Sequence, residues 1–498
     1  MSTQLTHQDT PSSTVAEAPL HFVDPRAFKA RTREAVDDAH LRRSFRSAMD
    51  FLQAKRASHF GDAAGFDALR HVGEAIRQYS LSKLPDLLER LEQRLTERGV
   101  KVHWASTPQE ANAIFLALAR AHGANRMIKG KSMVSEEIEL NHRMAEAGVD
   151  CLESDMGEYI VQLAGERPSH IIMPAIHKTK EQIAALFAER IPETPYTEDV
   201  DELIAIGRRV LRNEFRDAKI GVSGVNFMVA DTGTLVLVEN EGNGRMCTTV
   251  PEVHIAITGI EKVVERFEHV LPLFSLLTRS ATGQAVTTYF NAISGPRRAG
   301  ELDGPRELHL ILLDNGRSQA YRDADFRPTL QCIRCGACMN HCPVYARIGG
   351  LAYGTTYPGP IGSIISPHLL GLEPTQDLPT ASSLCGACAE VCPVGIPIPD
   401  LLMQLRHAAK HEPDPGHPPL AGQGSAKDWR EALAWKLWAW LNERPRLYRG
   451  ALRLGHRLHA LVPASQGGWT AHRTPMRPAA RGLRERLAAQ RRDGGARP

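Results

Sequence analysis

Residues 332–343 read Cys332-Ile333-Arg334-Cys335-Gly336-Ala337-Cys338-Met339-Asn340-His341-Cys342-Pro343, and this stretch decides how the C-terminal half of the 498-residue chain folds. A second block, residues 382–393, repeats the spacing with Cys385, Cys388 and Cys392 but has Ser382 in place of the opening cysteine. Cysteines separated by two, two and three residues and followed by proline are typical of loops that wrap 4Fe-4S clusters. The blocks hold seven of the nine cysteines, and they predict an α-helical ferredoxin-type domain with two 4Fe-4S clusters.

The assignment of cysteines to clusters follows from two-cluster ferredoxins, in which the fourth cysteine of each run binds the cluster of the other run. The residues predicted to hold the first cluster are Cys332, Cys335, Cys338 and Cys392. The cysteines predicted to hold the second cluster are Cys342, Cys385 and Cys388. The fourth ligand of the second cluster is not a cysteine, so that corner is open to Ser382, another side chain, a solvent molecule or a partner protein.

Zinc, disulfides and purely structural clusters are the alternative interpretations of the cysteines. Two Cys-x-x-Cys pairs can build a four-cysteine zinc site, although seven thiolates with a proline after each run suit it poorly. Structural disulfides need an oxidising compartment and a signal peptide, and residues 1–18 have no basic start followed by an apolar core. The sequence therefore predicts a cytoplasmic iron-sulfur protein, whose clusters either carry electrons or only stabilise the fold.

Length and charge divide the chain into several regions. Its 498 residues are enough for about three domains. Residues 425–498 carry 16 Lys and Arg against 5 Asp and Glu, whereas residues 1–424 have a net charge of −8. The longest uncharged stretch, residues 348–372, contains Gly and Pro residues that would break a membrane-spanning helix, so it is predicted as the long connection between the cysteine blocks. The predicted regions are a disordered N-terminus over 1–20, helices over 21–95, an α/β domain over 96–310, the ferredoxin-type domain over 321–412 and a basic helical segment over 413–498 that ends in a disordered tail.

Residues 100–265 alternate short β-rich runs with helical stretches, as a parallel α/β sheet requires. The predicted strands are residues 102–104, 126–128, 149–152, 170–176, 219–230 and 234–238. The predicted helices are residues 111–121, 136–147, 157–163 and 180–188, the first preceded by a cap and a first-turn proline in Ser106-Thr107-Pro108. The fold class is therefore α/β, with a Rossmann-like sheet that lacks the glycine fingerprint of dinucleotide binding.

Three glycine-containing loops are candidates for binding a small anion. Gly130-Lys131-Ser132 imitates the end of a Walker A loop, but Asn125 occupies the position of its first glycine. Residues 221–224 and 241–244 either expose backbone amides to an anion or simply turn the chain. Four further residues have no partner group in the sequence, and the two cysteines among them are predicted to be buried packing residues: Glu239, His254, Cys151 and Cys247.

Nearly the whole chain resembles the LutB family, also called LldF or YkgF. The resemblance is carried by Gly221-Val222-Ser223-Gly224-Val225-Asn226 and Glu239-Asn240-Glu241-Gly242, followed in order by the motifs at residues 332–338 and 383–388. It implies that the α/β domain is a LUD domain, related to the NagB/RpiA/CoA-transferase-like fold, and that residues 413–498 are a lactate-utilization C-terminal segment. Even the missing cysteine at Ser382 resembles the family.

The resemblance also implies a function. It implies that the chain is the iron-sulfur subunit of a multi-subunit complex that oxidises L-lactate to pyruvate without NAD and supports lactate catabolism. LutA-like and LutC-like subunits are the implied partners, and a quinone-linked electron acceptor is our working hypothesis. No residue forms a recognisable base for oxidising a 2-hydroxy acid, so no catalytic residue is assigned and a non-catalytic electron-transfer subunit is expected.

Two other functions stay open. One is the iron-sulfur subunit of another respiratory dehydrogenase, of the glycerol-3-phosphate or heterodisulfide-reductase type, whose cysteine runs look similar. The other is a ligand-binding or acyl-transfer α/β enzyme with structural clusters, in which Glu239 or Glu241 supplies the carboxylate.

The basic tail predicts two amphipathic helices, one over residues 429–441 and one over residues 447–461. The apolar residues that share one face of the first helix are Trp429, Leu433, Leu437, Trp440 and Leu441. Because arginines flank these helices, three contacts stay open: an anionic membrane surface, a partner subunit and the chain's own domain.

The arginines of the tail carry no nucleic-acid-binding motif, so no nucleic-acid partner is expected. The stretch after residue 466 is predicted as disordered. The expected location is the cytoplasm, with peripheral contact to the inner face of the cytoplasmic membrane as the variant that the tail allows.

Overall fold

The computed structural model describes residues 24–413, 418–426, 428–458, 461–467, 470, 473–475, 479 and 482–492. These residues belong to two units, residues 1–426 and residues 427–498, and each unit is described by itself. The predicted disordered N-terminus, residues 1–20, lies outside the described residues.

The described part of the first unit begins with four helices: α1 (Phe28–Asp37), α2 (Ala39–His59), α3 (Ala63–Ser82) and α4 (Leu84–Glu97). Aspartates begin two of them, because the Asp38 side chain accepts hydrogen bonds from the first backbone N–H groups of α2 and Asp62 does the same for α3. Leucines recur every three or four residues along α4 and pack its inner face against the sheet: Leu84, Leu87, Leu88, Leu91 and Leu95.

Two β-sheets form the centre of the first unit. The strands in the described residues are β1 (Lys101–Ala105), β2 (Arg126–Lys129), β3 (Asp150–Glu153), β4 (Ile220–Gly224), β5 (Phe227–Val229), β6 (Thr234–Glu239), β7 (Val253–Gly259), β8 (Val263–Val264), β9 (Tyr289–Ile293) and β10 (Glu307–Leu313). The larger sheet is parallel throughout, in the order β1-β10-β7-β4-β2-β3, and the smaller has the order β8-β5-β6-β9. Strands β4 and β7 lie inside the parallel sheet and are buried along their whole length, as strands covered on both faces must be.

Helices cover both faces of the parallel sheet. The next helices of the chain are α5 (Pro108–Ala121), α6 (Met133–Glu137), α7 (Leu140–Glu146), α8 (Met156–Leu163), α9 (Lys180–Arg190), α10 (Val200–Asp217), α11 (Asn243–Thr249), α12 (Phe267–Thr282) and α13 (Arg317–Arg322). In β10, Ile311 packs in the same core as Phe115 of α5, whereas its neighbour Leu310 packs in the same core as Leu91 of α4. Successive side chains of a strand point to opposite faces, so the predicted α/β architecture is confirmed.

Three predicted elements differ from the structure. Residues 170–176 form turns rather than a strand, because the His170 ring accepts hydrogen bonds from the N–H groups of Ile172 and Met173 and so closes a local turn. Residues 219–230 divide into β4 and β5, which belong to different sheets. Residues 136–147 divide into α6 and α7 at Glu139, whose φ of 54° is left-handed and breaks the helix.

The cysteine blocks lie among short helices and loops after β10. These helices are α14 (Ala337–Asn340), α15 (Tyr345–Ile348), α16 (Gly359–Leu370), α17 (Leu372–Thr375), α18 (Ala387–Glu390) and α19 (Ile398–Lys410). Residues 348–372 connect the two cysteine blocks, and within them lies the buried helix α16, which the sequence did not predict. Its glycines permit close packing, since a Cβ atom on Gly362 would lie 1.6 Å from the carbonyl oxygen of Tyr357.

The described residues of the second unit form helices α20 (Trp429–Asn442), α21 (Pro445–Arg457) and α22 (Leu483–Arg492). No residue of α20 is buried, and the rings of Trp435 and Trp438 meet edge to face at 5.7 Å between centroids. The prediction of disorder after residue 466 is wrong over α22, where Leu, Glu, Arg, Ala and Gln are all strong helix formers. Within the described ranges, every helix is too short or too polar to span a lipid bilayer.

Candidate iron-sulfur site

The two cysteine blocks fold into the same loop. Arg334 and Gly336 of the first block have φ angles of 63° and 75°, and Leu384 and Gly386 of the second block have φ angles of 55° and 85°. A one-turn helix follows each loop, α14 in the first block and α18 in the second. A left-handed backbone is uncommon at residues other than glycine, so its repetition at equivalent positions indicates that both loops wrap the same kind of group.

Ser382 takes the place in the second loop that Cys332 takes in the first. The backbone N–H of Arg334 donates to the sulfur of Cys332 at 3.3 Å, and the N–H of Leu384 donates to the hydroxyl oxygen of Ser382 at 3.1 Å. The Ser382 oxygen therefore occupies the position that a fourth thiolate of the second loop would occupy.

The seven thiols come together in two sets that cross between the blocks. Electrostatic interaction links Cys338 with Cys335, Cys332 and Cys392, which we call the first thiol group. The same interaction links Cys388 with Cys342 and Cys385, which we call the second thiol group. Burial, and then the neighbouring thiols, raise the pKa of Cys335 to about 12 and that of Cys388 to about 11. Thiols held this way become thiolates when a positively charged metal centre binds them.

The spacing of the thiols suits a cube better than a single zinc ion. Zinc holds four thiolates at about 2.3 Å, which places the sulfurs about 3.8 Å from one another. Among the described residues, which include all nine cysteines, no three thiols lie within 4.8 Å of one another. All nine cysteines are free thiols in the described residues. A 4Fe-4S cube binds its thiolates through separate iron atoms, so its sulfur ligands need not lie this close together.

Backbone N–H groups point at further thiols of both groups. The N–H of Tyr345 donates to the sulfur of Cys342 at 3.5 Å, and the N–H of Ile396 donates to the sulfur of Cys392 at 3.4 Å. Such donors stabilise negative charge on sulfur and tune the reduction potential of a bound cluster.

The two groups differ in their exposure to solvent. The four thiols of the first group are buried, with exposed fractions of 6–8%. In the second group Cys342 and Cys388 are buried, but Cys385 is exposed and Ser382 is half-buried. The second group therefore lies at the protein surface, where another protein can approach it.

Helices α2 and α3 lie over the second cysteine block. The Arg56 guanidinium of α2 donates to the carbonyl oxygen of Val391 at 3.3 Å, and the Arg70 guanidinium of α3 donates to that of Ala389 at 3.0 Å. Both carbonyls belong to the turn between Cys388 and Cys392. The N-terminal helices thus hold the chain segment that connects the two thiol groups.

A buried ion-pair network joins the α/β sheet to the first cysteine loop. Arg317 of α13 donates to the carboxylates of Glu137 and Glu261 at 2.8 and 2.7 Å, and Arg334 donates to Glu261 at 3.3 Å. Burial opposes the charge on Glu261, yet Arg317 and Arg334 together lower its pKa to about 2. The hydroxyl of Tyr357 completes the network by donating to Glu137 at 2.9 Å.

Two further basic side chains fix the segment that leads into Cys332. The buried Arg77 of α3 donates to the carbonyl oxygens of Gln331 and Val263, both at 3.2 Å. Lys262, which follows β7, donates to the carbonyl oxygen of Cys332 itself at 3.0 Å. The first thiol group is therefore attached to the carboxyl end of a central strand of the sheet.

The turn at residues 169–176 contacts the first cysteine block from another side. The His170 ring and the Asn340 side chain form a hydrogen bond of 2.9 Å, and the Tyr345 hydroxyl donates to the carbonyl oxygen of Ser169 at 2.6 Å. Burial lowers the pKa of His170 to about 4, so this histidine is neutral near pH 7.

A cavity of about 320 Å³ lies at the carboxyl ends of β2, β4, β6 and β7. The three glycine-containing loops singled out in the sequence meet there, through residues 130–132, residues 223–224, and residues 241, 243 and 244. Ile333 and Arg334 of the first cysteine loop form another part of its wall. The cavity therefore has walls from both the α/β domain and the first cysteine loop.

The two candidate carboxylates of this cavity have different surroundings. Glu239 accepts from the N–H groups of Gly244 and Arg245, both at 2.6 Å, and so caps helix α11. Glu241 accepts from the N–H of Met156 at 3.0 Å. Burial, followed by the charge of the neighbouring aspartate at position 155, raises the pKa of Glu241 to about 7.

The remaining residues for which the sequence offered no partner group stabilise the fold. The Ser223 hydroxyl and the His254 ring form a buried hydrogen bond of 2.8 Å between β4 and β7. Cys151 and Cys247 are buried, which confirms the prediction that they are packing residues. Gly221 serves packing too, because a Cβ atom there would lie 1.9 Å from the carbonyl oxygen of Cys247.

The sequence alone did not single out the buried charges around the first cysteine loop. These are Arg77, Glu137, Glu261, Lys262 and Arg317. The sequence offered one signal of buried charge, which is a charged residue inside an apolar stretch. Glu261 and Lys262, between the buried strands β7 and β8, are examples. Their partners are distant in the sequence, so the signal did not tell which groups they bind.

Models of three protein families match the chain. Residues 88–313 match the LUD domain, residues 329–396 match a 4Fe-4S dicluster domain, and residues 404–492 match the C-terminal part of lactate utilisation protein B. The three matches follow one another in the order that the resemblance implies.

Several curated proteins are similar to the chain over most of their length. The chain is 41% identical over 448 residues to the uncharacterized electron transport protein YkgF of Escherichia coli K12, covering 89% of this chain and 90% of that protein. It is 42% identical to lactate utilization protein B of Bacillus velezensis, covering 85% and 86% of the two chains. For lactate utilization protein B of Bacillus subtilis the identity is 43%, covering 76% and 79%. With such identity over most of both chains, this protein belongs to the lactate utilization protein B family.

Proposed function

We propose that the chain is the iron-sulfur electron-transfer subunit of an NAD-independent L-lactate dehydrogenase complex, which converts lactate to pyruvate in lactate catabolism. The observation that carries the proposal is the pair of cysteine loops with one shared conformation, whose thiols gather in two crossed groups. The names of the relatives support lactate as the substrate of the complex.

The proposed ligands follow the two thiol groups. The first 4Fe-4S cluster is held by Cys332, Cys335, Cys338 and Cys392. The second is held by Cys342, Cys385 and Cys388, with the Ser382 hydroxyl nearest to the position of the fourth ligand. A 4Fe-4S cluster supplies one-electron transfer when bound.

The rest of the chain holds and shields these ligands. Backbone N–H groups donate to the ligand sulfurs, helices α2 and α3 hold the segment between Cys388 and Cys392, and the ion-pair network fixes the first loop to the sheet. No side chain of the two thiol groups is placed to remove hydrogen from a 2-hydroxy acid, so we assign substrate oxidation to a partner subunit.

The proposed partners are LutA-like and LutC-like subunits, and the proposed electron acceptor is quinone-linked. The exposed Cys385 supports an exchange of electrons with a partner at the second thiol group. We place the complex in the cytoplasm, with the basic Trp-rich tail as the segment that contacts a partner or the inner membrane surface. The domain bounds inferred from the sequence, with the α/β domain over 96–310 and the ferredoxin-type domain over 321–412, remain part of this proposal.

The crossed ligand sets give the sharpest test. Anaerobically purified Cys392→Ser should lose the EPR signal of the first cluster, although Cys392 lies in the second block, and Cys342→Ser should change the second. Cys151→Ala is the control, because Cys151 is buried elsewhere and should leave both signals unchanged. If each variant instead changes the cluster of its own block, the crossed assignment is wrong.

The function is tested on the assembled complex. Addition of L-lactate should reduce both clusters when the partner subunits are present and should reduce neither in this chain alone. Clusters that lactate never reduces in the assembled complex would instead favour a subunit of another respiratory dehydrogenase.

A further inference from the structure

Two histidines and a glutamate meet at the amino ends of strands β1 and β10. Glu307, His309 and Ile311 alternate along β10, so their side chains share the face of the sheet on which Ile311 packs with α5. His122 directly follows α5, and its Nε2 atom lies 3.7 Å from the Oε2 atom of Glu307. The Nε2 atom of His309 lies 3.3 Å from the same oxygen. The fold therefore brings together three side chains of the types that bind metal ions.

The spacing of the three ligand atoms suits a zinc ion. Tetrahedral zinc holds histidine nitrogens and carboxylate oxygens at about 2.0–2.2 Å, which places neighbouring ligand atoms about 3.3–3.6 Å apart. The two distances to Glu307 are close to this value, and all three ligand atoms lie within 4.8 Å of one another. In the part of the chain that the structure describes, no other three His, Cys, Asp or Glu side chains come as close.

His103 of β1 orients the buried histidine of this group. The His309 side chain is only 2% exposed, and its Nδ1 forms a hydrogen bond of 2.9 Å with the Nε2 of His103. The two rings stack with an angle of 13° between their planes. A histidine engaged through Nδ1 presents its Nε2 to a metal ion, and such an outer partner fixes the orientation of the ring. His122 and Glu307 are partly exposed, so water can reach a fourth position.

A lysine competes for the carboxylate of this group. Lys101 Nζ donates to the Oε2 atom of Glu307 at 2.5 Å, but the lysine side chain is 57% exposed and can turn toward solvent. Lys219 also approaches the end of α5, where it donates to the carbonyl oxygen of Gly123 at 3.1 Å. The Glu307 carboxylate thus already attracts one cation, and a metal ion has to displace the Lys101 ammonium from it.

We propose that His122, Glu307 and His309 bind one Zn²⁺ ion, with a water molecule as the fourth ligand. Two imidazoles and one carboxylate select zinc over magnesium, which prefers oxygen ligands. The bound ion joins the end of α5 to the start of β10. This site lies at the amino ends of the parallel strands, whereas the cavity and the attachment of the first cysteine loop lie at their carboxyl ends. It is therefore separate from the proposed iron-sulfur centres.

The test is a calorimetric titration of the full-length, cluster-loaded protein with ZnCl₂ and, separately, with MgCl₂. It is done anaerobically, and the iron content is measured before and after. We expect one Zn²⁺ per chain, no binding of Mg²⁺ at the same concentrations, and a thermal midpoint that rises with zinc. His122→Gln and Glu307→Gln should each weaken zinc binding more than about 100-fold. His103→Phe keeps a ring but removes the outer nitrogen, so it should weaken zinc binding about 10- to 100-fold.

Two more variants separate this site from other effects. Lys101→Met removes the competing ammonium and should tighten zinc binding about 2- to 5-fold, the equivalent of one exposed ion pair. His142→Gln is the matched control, because His142 Nε2 lies 3.3 Å from the Oε1 of Glu146 in a pair that has no third ligand within the described residues. This control should bind zinc as the unaltered protein does.

Four results would overturn the zinc site. They are an absence of zinc binding to the unaltered protein, binding that persists in both His122→Gln and Glu307→Gln, weaker binding by Lys101→Met, and binding that occurs only as iron is released. The last result would assign the zinc to the cysteines. None of these results bears on the proposed electron-transfer function, which depends on the reduction of both clusters in the complex.

Discussion

Ser382 is the residue at which the two otherwise matching cysteine loops differ. Its hydroxyl oxygen accepts the same backbone N–H bond that the sulfur of Cys332 accepts in the first loop. The variant Ser382→Cys should therefore give the second cluster a fourth thiolate without rearranging the loop. We expect an altered EPR signal and a lower reduction potential of that cluster, since an added thiolate makes it more negative.

Ser382→Ala is the matched control for this change, because it removes the oxygen and leaves the loop backbone in place. Its second-cluster signal should differ from that of Ser382→Cys, while the first-cluster signal should be the same in both variants. Identical second-cluster signals in both variants and the unaltered protein would show that residue 382 does not reach the cluster.

Arg317 joins two buried carboxylates, so its removal takes away the ion-pair partner of Glu137 and leaves Glu261 with Arg334. The variant Arg317→Met should lower the free energy of unfolding by about 3–5 kcal/mol, since breaking a buried ion pair strands the remaining charge. Urea unfolding of the anaerobic protein measures the loss. Arg216→Met is the comparison, because Arg216 pairs with Asp217 at the exposed surface and should leave the midpoint unchanged. Equal midpoints for the two variants would contradict this role of Arg317.

At the scale of residues, the sequence identifies ligands better than their surroundings. The cysteines of both blocks stand out because their spacing is local and specific. Arg77 and Arg317 do not stand out, because they act on groups that are distant in the chain: the Arg77 bond to Gln331 spans 254 positions. Only the folded structure brings such groups together.

Strand β7 carries a histidine that the sheet keeps neutral. Burial, and then the charge that His309 can carry on β10, lower the pKa of His254 to about 3. In the unfolded chain an ordinary histidine has a pKa of about 6.5, so the unfolded state binds the proton more readily. The contribution of neutral His254 to the free energy of unfolding is therefore complete above about pH 6.5. It decreases as the pH drops from about 6.5 toward 3, by up to about 1.4 kcal/mol per pH unit.

The variant His254→Gln tests this dependence. It should be less stable than the unaltered protein at pH 8, because a fitted buried side chain is changed, but its stability should fall less steeply between pH 6.5 and 5. Urea unfolding at several pH values gives both slopes, and the difference between them isolates this one residue. Parallel slopes would mean that His254 does not titrate differently in the folded and unfolded states.

At the scale of elements, the sequence predicts regular segments that stand alone and misses those that depend on distant partners. Helix α5 is predicted correctly because its cap is local: the Thr107 side chain accepts from the N–H of Glu110. Helix α16 is missed because its glycines and prolines normally break helices, yet in this fold they allow close packing inside a buried core. Residues 170–176 have the composition of a strand, but a histidine-centred turn prevails.

At the scale of the molecule, residues 427–498 form a separate unit with exposed apolar side chains, including Trp429 and Trp435. A chain that ends at Ala426 should therefore keep its iron content, both EPR signals and its thermal midpoint. It should lose whatever association the tail provides, which liposome flotation and co-purification with partner subunits distinguish. Loss of iron from the shortened chain would show that the tail is required for the cluster domain.

Helices α2 and α3 have a consequence for how the protein is made. They leave the ribosome early, yet they lie over loops that emerge late: the hydrogen bonds of Arg56 and Arg70 to those loops span 335 and 319 positions. Helices α2 and α3 are therefore synthesised long before the cysteine loops that they contact. Until the chain has folded, the four thiols of the first group are open to iron and sulfide, whereas Cys385 of the second group stays exposed even in the folded protein.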